Sequence, residues 1–397
     1  MKSIFKNIQG DSVIWAIIGV LAIFSFLPVY SASSNLAYLY GDGNTFKFLA
    51  KHFAHLVLGF GILCGVHKIP YHYFRGLSMI ALPIVVVLLL ITMAQGTTIG
   101  GANASRWIRV PLVGVTFQTS TLAAVVLMTY VARYLSTIES KLVSFKETLL
   151  PLWLPVFLIL GLILPANFST AAIIFAMVVL LVFIGGYPLR YLAIILTTGL
   201  LLLSLFVMSA KAFPDVFPNR VDTWISRVVS FVDKTDKDAD YQIIKAKTAI
   251  ASGGITGLGP GKSVQKNFLP QSSSDFIYAI IVEEFGLLGA LVVMVVYLLL
   301  LFRLVVVAHK SSAMFSKLLV IGVGLPVVFQ ALVNMAVAVE LFPVTGQTLP
   351  LISSGGTSIW MTCLALGMVL SVSAKREVEK NEEQAMENPL DILSQTL

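Results

Sequence analysis

Charged side chains are scarce in this chain of 397 residues. Asp, Glu, Lys and Arg together make up 12% of the sequence, whereas hydrophobic residues make up 57%. Soluble domains carry about 25% charged residues, so this composition excludes an ordinary soluble protein. Apolar runs of about 20 residues, the length at which a helix spans a bilayer, recur along the sequence. We therefore predict an all-α polytopic membrane protein.

Cysteine is also scarce. Only Cys64 and Cys363 occur, far apart and each inside an apolar run. They predict neither a disulfide framework nor a metal site and are explained as small packed side chains. The formal net charge of +7 does not call for a nucleic-acid partner, because basic residues that flank spanning helices on the cytoplasmic side account for it.

The apolar runs predict about ten spanning helices. They cover residues 12–30, 48–66, 77–95, 117–135, 149–165, 169–185, 190–212, 276–302, 316–340 and 357–374. Basic residues cluster on the side of the N-terminus, which predicts that both termini are cytoplasmic. The large outer loop at about 213–275 is expected to be functional and partly structured, since structureless loops of that length are uncommon. We expect a membrane domain over 1–376 and a disordered cytoplasmic tail over 377–397.

The large outer loop contains a segment, GPGKS at Gly259 to Ser263, that is similar to a phosphate-binding P-loop. A P-loop requires glycine five positions before Gly261, where this chain has Thr256. We therefore expect no bound nucleotide. The glycines favour sharp turns or a close approach to a ligand. Lys262 and Lys266 then either contact phosphate as point charges or lie in a solvated loop without such a role.

Asp275 lies between three serines and the eighth apolar run. It is either a cap at the start of that helix or a general base at the membrane surface. A helix N-terminus stabilises the charged form of a carboxyl group and so weakens it as a base, whereas partial burial destabilises the charged form and strengthens it as a base. Glu283 and Glu284 follow at roughly 12–13 Å along a helix, too far for a close carboxylate pair with Asp275. They are candidates for packing against another helix or for chemistry.

Two further outer segments contain candidate residues. Arg106 either binds phosphate or snorkels to the membrane interface. The stretch from Pro343 to Ser358 is irregular and rich in small residues. Irregular backbone at a membrane should line a cavity or be covered by protein, so this stretch is a candidate part of the site.

Four stretches together resemble the SEDS family (shape, elongation, division and sporulation). They are GGANASRWI, ANFSTA, the segment from YQIIKAKTAIASGG to VEEFGLLG, and NMAVAVELFPVTGQTLPLISSGGTS. The resemblance covers nearly all of the chain, and the TLPLIS form is more similar to the division branch than to the elongation branch. It implies a peptidoglycan glycosyltransferase in the bacterial inner membrane at the division site. The implied partners are a class B penicillin-binding protein transpeptidase and other division proteins.

The resemblance also implies roles for individual residues. Asp275 matches the essential acid of the family, which polymerises lipid II into β-1,4 glycan strands and releases undecaprenyl pyrophosphate. A divalent cation, Mg²⁺ or Mn²⁺, or basic side chains would offset the charge of that leaving group. The candidates for binding pyrophosphate or lipid II are Arg106, Lys262, Lys266, Ser353 and Ser354. The candidates for structural or tuning roles are Gln271, Glu283 and Glu284.

The chain departs from the family pattern at several positions. The usual QPSELAK is QTSTLAA at 118–124, so Thr121 and Ala124 replace an acid and a lysine. Gln271 replaces a glutamate four positions before Asp275, and Glu340 stands where glycine is common. Two other functions remain open: a flippase that moves lipid II across the membrane, and a scaffold that recruits a transpeptidase.

Overall fold

The computed structural model describes residues 9–40, 44–95, 106–109, 116–139, 144–212, 237–269 and 271–386. These residues form eleven long helices, numbered α1 to α11, and one short hairpin. The helices are α1 (Ser12–Tyr40), α2 (Thr45–Val66), α3 (His72–Gln95), α4 (Thr119–Ile138), α5 (Phe145–Ile163), α6 (Phe168–Ile184), α7 (Leu189–Ala212), α8 (Lys237–Gly253), α9 (Ile277–Lys310), α10 (Met314–Ala338) and α11 (Gly356–Met386).

Ten of these helices coincide with the ten predicted spans. Among the described residues, nine are long and apolar enough to cross a membrane, and α6, with 17 residues, is slightly shorter. Helix α8 is the additional one and lies in the segment 213–275 that is predicted to be the large outer loop, whose residues 213–236 are outside the described part of the chain. The all-α polytopic architecture is confirmed, and the assignment of both termini to the cytoplasm stays a prediction.

Helices α5 and α11 each show a feature that the predicted spans did not include. Helix α5 contains a π-helical turn at Leu149–Trp153, where Pro151 cannot donate a backbone hydrogen bond. The Tyr130 hydroxyl donates at 2.6 Å to the Pro151 carbonyl, whose usual helical donor four residues later is Pro155, which has no N–H. Helix α11 continues to Met386, ten residues past the predicted boundary at 376, because the sequence there is rich in good helix formers such as Glu, Lys and Ala.

The core of the bundle lies around α10 and α11. In their most apolar windows, 67% and 78% of the residues are buried, compared with 22% for α2 and α3 and 12% for α7. Helix α10 packs against α4, α6, α9 and α11. The peripheral helices expose leucine, isoleucine and valine side chains, as expected for surfaces that face lipid tails.

A two-stranded antiparallel hairpin precedes α4. Its strands are β1 (Trp107–Arg109) and β2 (Thr116–Gln118), and Trp107 pairs with Gln118. The hairpin leads directly into α4 and sets the position of Arg106, the residue before β1.

Helix α9 is broken at Gly286, whose φ of 68° and ψ of −170° are not helical. The Tyr278 hydroxyl approaches the Ala290 carbonyl at 3.4 Å, although twelve residues of straight helix measure about 18 Å, more than a tyrosine side chain spans. The first nine residues of α9 therefore bend back against the rest. This break was not predicted by the apolar run at 276–302, which gives no sign of a reversal.

The outer segment after α8 supplies the hydrogen bonds that the break removes. Backbone groups of residues 254–259 pair with those of residues 283–288. The amides of Leu258 and Gly259 donate to the carbonyls of Glu283 and Glu284 at 2.9 and 3.0 Å. In the other direction, the amides of Leu287 and Leu288 donate to the carbonyls of Gly254 and Ile255 at 2.9 and 3.2 Å. An unpaired backbone group in an apolar environment costs several kcal/mol, so this pairing allows the helix to break within the bundle.

We expect Gly286→Ala to destabilise the protein strongly. A left-handed residue other than glycine costs about 1–3 kcal/mol, and the added Cβ would lie 2.3 Å from the Ile255 carbonyl oxygen. The detergent-solubilised variant should lose its thermal transition or unfold at least several degrees earlier. The control is Gly161→Ala in α5, where a Cβ meets no atom within 4 Å. Equal melting temperatures for the two variants would contradict the role of the break.

Candidate active site

Asp275 lies on a tight turn, residues 271–276, that leads into α9; we call it the Asp275 turn. The carbonyl of Gln271 accepts backbone hydrogen bonds from Ser274, Asp275 and Phe276 at 3.0, 3.1 and 3.3 Å. Gln271 adopts a left-handed φ of 58°, which is uncommon for a residue other than glycine. Asp275 is half-buried. Gln271, a candidate tuning residue, thus shapes the turn through its backbone.

The α10–α11 loop, residues 339–355, packs against the Asp275 turn. The Ser353 hydroxyl donates to the Ser274 carbonyl at 2.6 Å and accepts from the Leu349 amide at 2.7 Å. The Ser354 amide donates to the Ser273 carbonyl at 2.8 Å. The structure therefore places Ser353 and Ser354 beside the Asp275 turn and uses these groups to join the loop to the turn. A role in binding lipid II stays a prediction.

Asn334 of α10 connects the same two segments. Its Nδ2 donates to the Asp275 carbonyl and to the Gln347 carbonyl, each at 2.7 Å. Gln347 in turn donates its Nε2 to the Thr170 hydroxyl at 3.0 Å. A Cβ added to Gly346 would lie 3.4 Å from Asp275 Oδ2. The carboxylate of Asp275 therefore lies against the loop at Gly346.

Arg106 lies at the same end of the bundle. Its Nε donates to the Ala166 carbonyl at 2.9 Å, just before Asn167, whose side chain caps α6 by accepting from the Thr170 amide at 3.3 Å. Because Thr170 also contacts Gln347, Arg106 is linked to the loop beside Asp275 through a short series of contacts. Arg106 thus has a backbone partner at Ala166, and its contact with pyrophosphate or lipid II stays a prediction.

A cavity of about 90 Å³ opens beside these residues, between α4, α6, α10 and α11. Polar side chains line part of it, including Thr170, Gln330 and Gln347, and apolar side chains line the rest, including Met128 and Met177. Thr121 and Ala124 also line the cavity, so the departures from the family's usual motif at 118–124 change its wall.

Glu283 and Glu284 are fully buried, with 0% and 1% exposure. Glu283 accepts from the Ser263 hydroxyl and from the Val264 and Gln265 amides, the latter two at 3.0 and 3.2 Å. Glu284 accepts from the Ser31 hydroxyl and from the Ser263 amide at 3.3 Å. Both acids therefore hold the end of the GPGKS segment against α9 and α1.

The two candidate lysines lie on the same segment. Lys266 donates its Nζ to the Gly261 carbonyl at 2.8 Å and to the Ser31 hydroxyl at 3.2 Å. Lys262 is exposed, and its side chain passes over Gly259. Lys266 is thus engaged within the protein, whereas Lys262 projects from the surface. A contact of either lysine with pyrophosphate stays a prediction.

Sequence reasoning did not identify Asn334 or Gln347 as part of the site. Asn334 is a polar residue within the apolar run of α10, and polar residues inside spans commonly mark functional positions. That signal was present in the sequence. Gln347 is one polar residue among several in an irregular loop, and no sequence pattern distinguishes it from Thr345 or Thr348.

Comparison with known proteins identifies the family. The model of the cell cycle protein family that includes FtsW, RodA and SpoVE matches residues 11–378. The chain belongs to this family. It is 33% identical over 372 residues to a probable peptidoglycan glycosyltransferase FtsW of Geobacter sulfurreducens, covering 92% of this chain and 95% of the relative. A protein with the same description from Thiomicrospira cyclica is 35% identical over 313 residues, 76% of each chain.

Solved structures agree with this assignment. One solved structure is described as "Structural coordination of polymerization and crosslinking by a peptidoglycan synthase complex". Its matching chain has a TM-score of 0.71 and 26% sequence identity, and the match covers 92% of this chain and 97% of that one. The rod shape determining protein RodA of Thermus thermophilus has a TM-score of 0.65 and 24% identity, covering 92% of this chain and 96% of that one. The latter supports the fold alone. The chain is therefore a multi-pass membrane protein of a bacterium.

We expect Glu283→Gln to lower stability by about 3 kcal/mol, because an amide nitrogen would face donors that now point at a carboxylate. Thermal unfolding in detergent would measure the loss. Glu139→Gln is the matched control, since Glu139 is exposed at the end of α4. A Glu283 variant as stable as this control would show that the buried acid does not hold the GPGKS segment.

Proposed function

We propose that this chain is a peptidoglycan glycosyltransferase of the FtsW type that polymerises lipid II into β-1,4 glycan strands. The named relatives support the activity. The observation that supports the site is the half-buried carboxylate of Asp275, on a turn that α10 and the α10–α11 loop hold in place. Its expected location is the outer face of the inner membrane at the division site.

In the proposed reaction, Asp275 accepts the proton of the acceptor sugar's 4-hydroxyl. The hydroxyl oxygen bonds to the anomeric carbon of the donor as the bond from that carbon to the phosphate oxygen breaks. The electron pair leaves with undecaprenyl pyrophosphate. With an α-linked donor and a β-linked product, a single inverting displacement is the simplest mechanism. A second carboxyl acid is unnecessary because pyrophosphate is a good leaving group once its charge is offset, unlike the sugar alkoxide of a glycosidase.

Basic side chains are proposed to offset that charge. Arg106 is the first candidate because a short series of contacts through Ala166, Asn167 and Thr170 links it to Gln347. Within the described part of the chain, no three His, Cys, Asp or Glu side chains converge. This donor set does not fit a metal held by protein ligands alone. Mg²⁺ or Mn²⁺ would depend on the substrate's phosphates for most of its contacts.

A class B penicillin-binding protein is the proposed partner. The structural neighbour from a peptidoglycan synthase complex supports an assembly of this kind. Such a pairing would place glycan polymerisation beside the transpeptidase that cross-links the strands. Other division proteins are proposed to bind the same assembly.

We expect Asp275→Asn to abolish polymerisation of lipid II, with a loss of at least about a hundredfold in kcat, as for removal of a general base. The purified variant, bound to its transpeptidase, would be assayed for glycan chains. The control is Glu340→Gln, which removes a carboxylate that pairs with Lys247 at 2.6 Å and should preserve activity.

If Asp275→Asn polymerises as well as the wild type, the base lies elsewhere. If the wild-type complex makes no glycan chains, the flippase and scaffold hypotheses gain support. A melting temperature close to that of the wild type establishes that the variant is folded.

Arg106 and Lys266 should differ when each is replaced by Gln. We expect Arg106→Gln to raise KM for lipid II by about tenfold, because charge-assisted hydrogen bonds to the substrate would be lost. Lys266→Gln should change KM less than twofold and instead lower the melting temperature, since its ammonium bonds within the protein. Steady-state kinetics and thermal unfolding would measure both. The opposite pattern would assign the pyrophosphate contact to Lys266.

A further inference from the structure

We propose that Asn334 is a positioning residue that holds the backbone of Asp275 in the geometry needed for proton transfer. The inference rests on the proposed role of Asp275 as the base. Asn334 lies near the end of α10, the helix at the centre of the bundle, and its side chain is 1% exposed. Its effect is exerted through Asp275, and nothing requires it to touch the substrate.

The orientation of the Asn334 amide is determined by its partners. Nδ2 donates to two carbonyl oxygens, those of Asp275 and Gln347, at 2.7 Å each. A reversed amide would place Oδ1 against both carbonyl oxygens, and three acceptors without a hydrogen would repel each other. The two hydrogens of one nitrogen therefore join two separate segments at one point.

The two segments that Asn334 joins both border the carboxylate of Asp275. The Asp275 carbonyl belongs to the residue that carries the carboxylate, and Gln347 follows Gly346, the residue against which Oδ2 lies. Gly346 has a left-handed φ of 69°, so the loop turns sharply at this point. A shift of either segment would change the distance between the carboxylate and an acceptor hydroxyl. A misplacement of about 1 Å can cost about a hundredfold in rate.

Other bonds hold the α10–α11 loop without involving Asn334. Ser353 and Ser354 bond to the Asp275 turn, Gln330 donates to Thr348 at 2.8 Å, and the Tyr297 hydroxyl of α9 donates to the Pro350 carbonyl. The loop therefore keeps several anchors when Asn334 is replaced. Loss of the Asn334 amide should change the position of Asp275 more than the folding of the loop.

The test compares two substitutions of Asn334 with a matched control, in the full-length protein bound to its transpeptidase. Asn334→Ala removes the amide, and Asn334→Leu removes it while filling the space. Tyr297→Phe is the control because it also deletes one hydrogen bond from a helix to the loop, without touching Asp275. Lipid II polymerisation provides kcat and KM, and thermal unfolding reports stability.

We expect both Asn334 variants to lower kcat by about ten- to a hundredfold, with KM for lipid II within about threefold of the wild type. Tyr297→Phe should keep both constants within about threefold. A merely structural residue would lower the amount of folded enzyme and leave the kcat of the folded fraction unchanged. The division of the effect between kcat and KM therefore separates positioning from folding.

Three results would overturn the inference. The first is a kcat for both Asn334 variants no lower than that of Tyr297→Phe, and the second is an effect on KM in place of kcat. The third is loss of the thermal transition in both variants, which would make Asn334 a folding residue. Asp275→Asn, assayed alongside, keeps the two proposals distinct: if it is active, the proposed base fails, and if it is inactive while the Asn334 variants match the control, only the positioning role fails.

Discussion

The structure depends on one constraint: backbone polar groups in an apolar bundle must find partners within the protein. Most of the chain meets this constraint by forming helices, whose hydrogen bonds are internal. Among the described residues, two of the places that do not are α9 at Gly286 and the α10–α11 loop. At Gly286 the backbone of residues 254–259 supplies the missing bonds. In the loop, side chains from neighbouring helices do so, including Asn334 and Tyr297.

The candidate site follows from this arrangement. Because the first part of α9 bends back, the turn that precedes it lies against the α10–α11 loop and is not a simple helix cap exposed to solvent. The buried pair Glu283 and Glu284 then binds the serine and amide groups of the GPGKS segment. Their carboxylates are thereby committed to structure, and Asp275 is left as the half-buried acid that lies against the loop at Gly346.

This division of roles among the acids agrees with the proposed chemistry. An inverting transfer from a pyrophosphate donor requires one base and cations near the leaving group, not a pair of carboxylates. The cavity between α4, α6, α10 and α11 shares Thr170 and Gln347 with the surroundings of Asp275. Replacement of the family's usual acid and lysine by Thr121 and Ala124 leaves that cavity wall without ionised groups at these two positions.

Composition and hydropathy alone determined that the chain is an all-α multi-pass membrane protein, because the length of an apolar run that spans a bilayer depends only on the thickness of that bilayer. Resemblance at the level of motifs identified the family and indicated Asp275. The break at Gly286, the burial of Glu283 and Glu284 and the two contacts of Asn334 were decided by the tertiary structure. Each of these features depends on which segment lies opposite a given residue, and residues as far apart in sequence as Ser31 and Glu284 meet only when the helices pack.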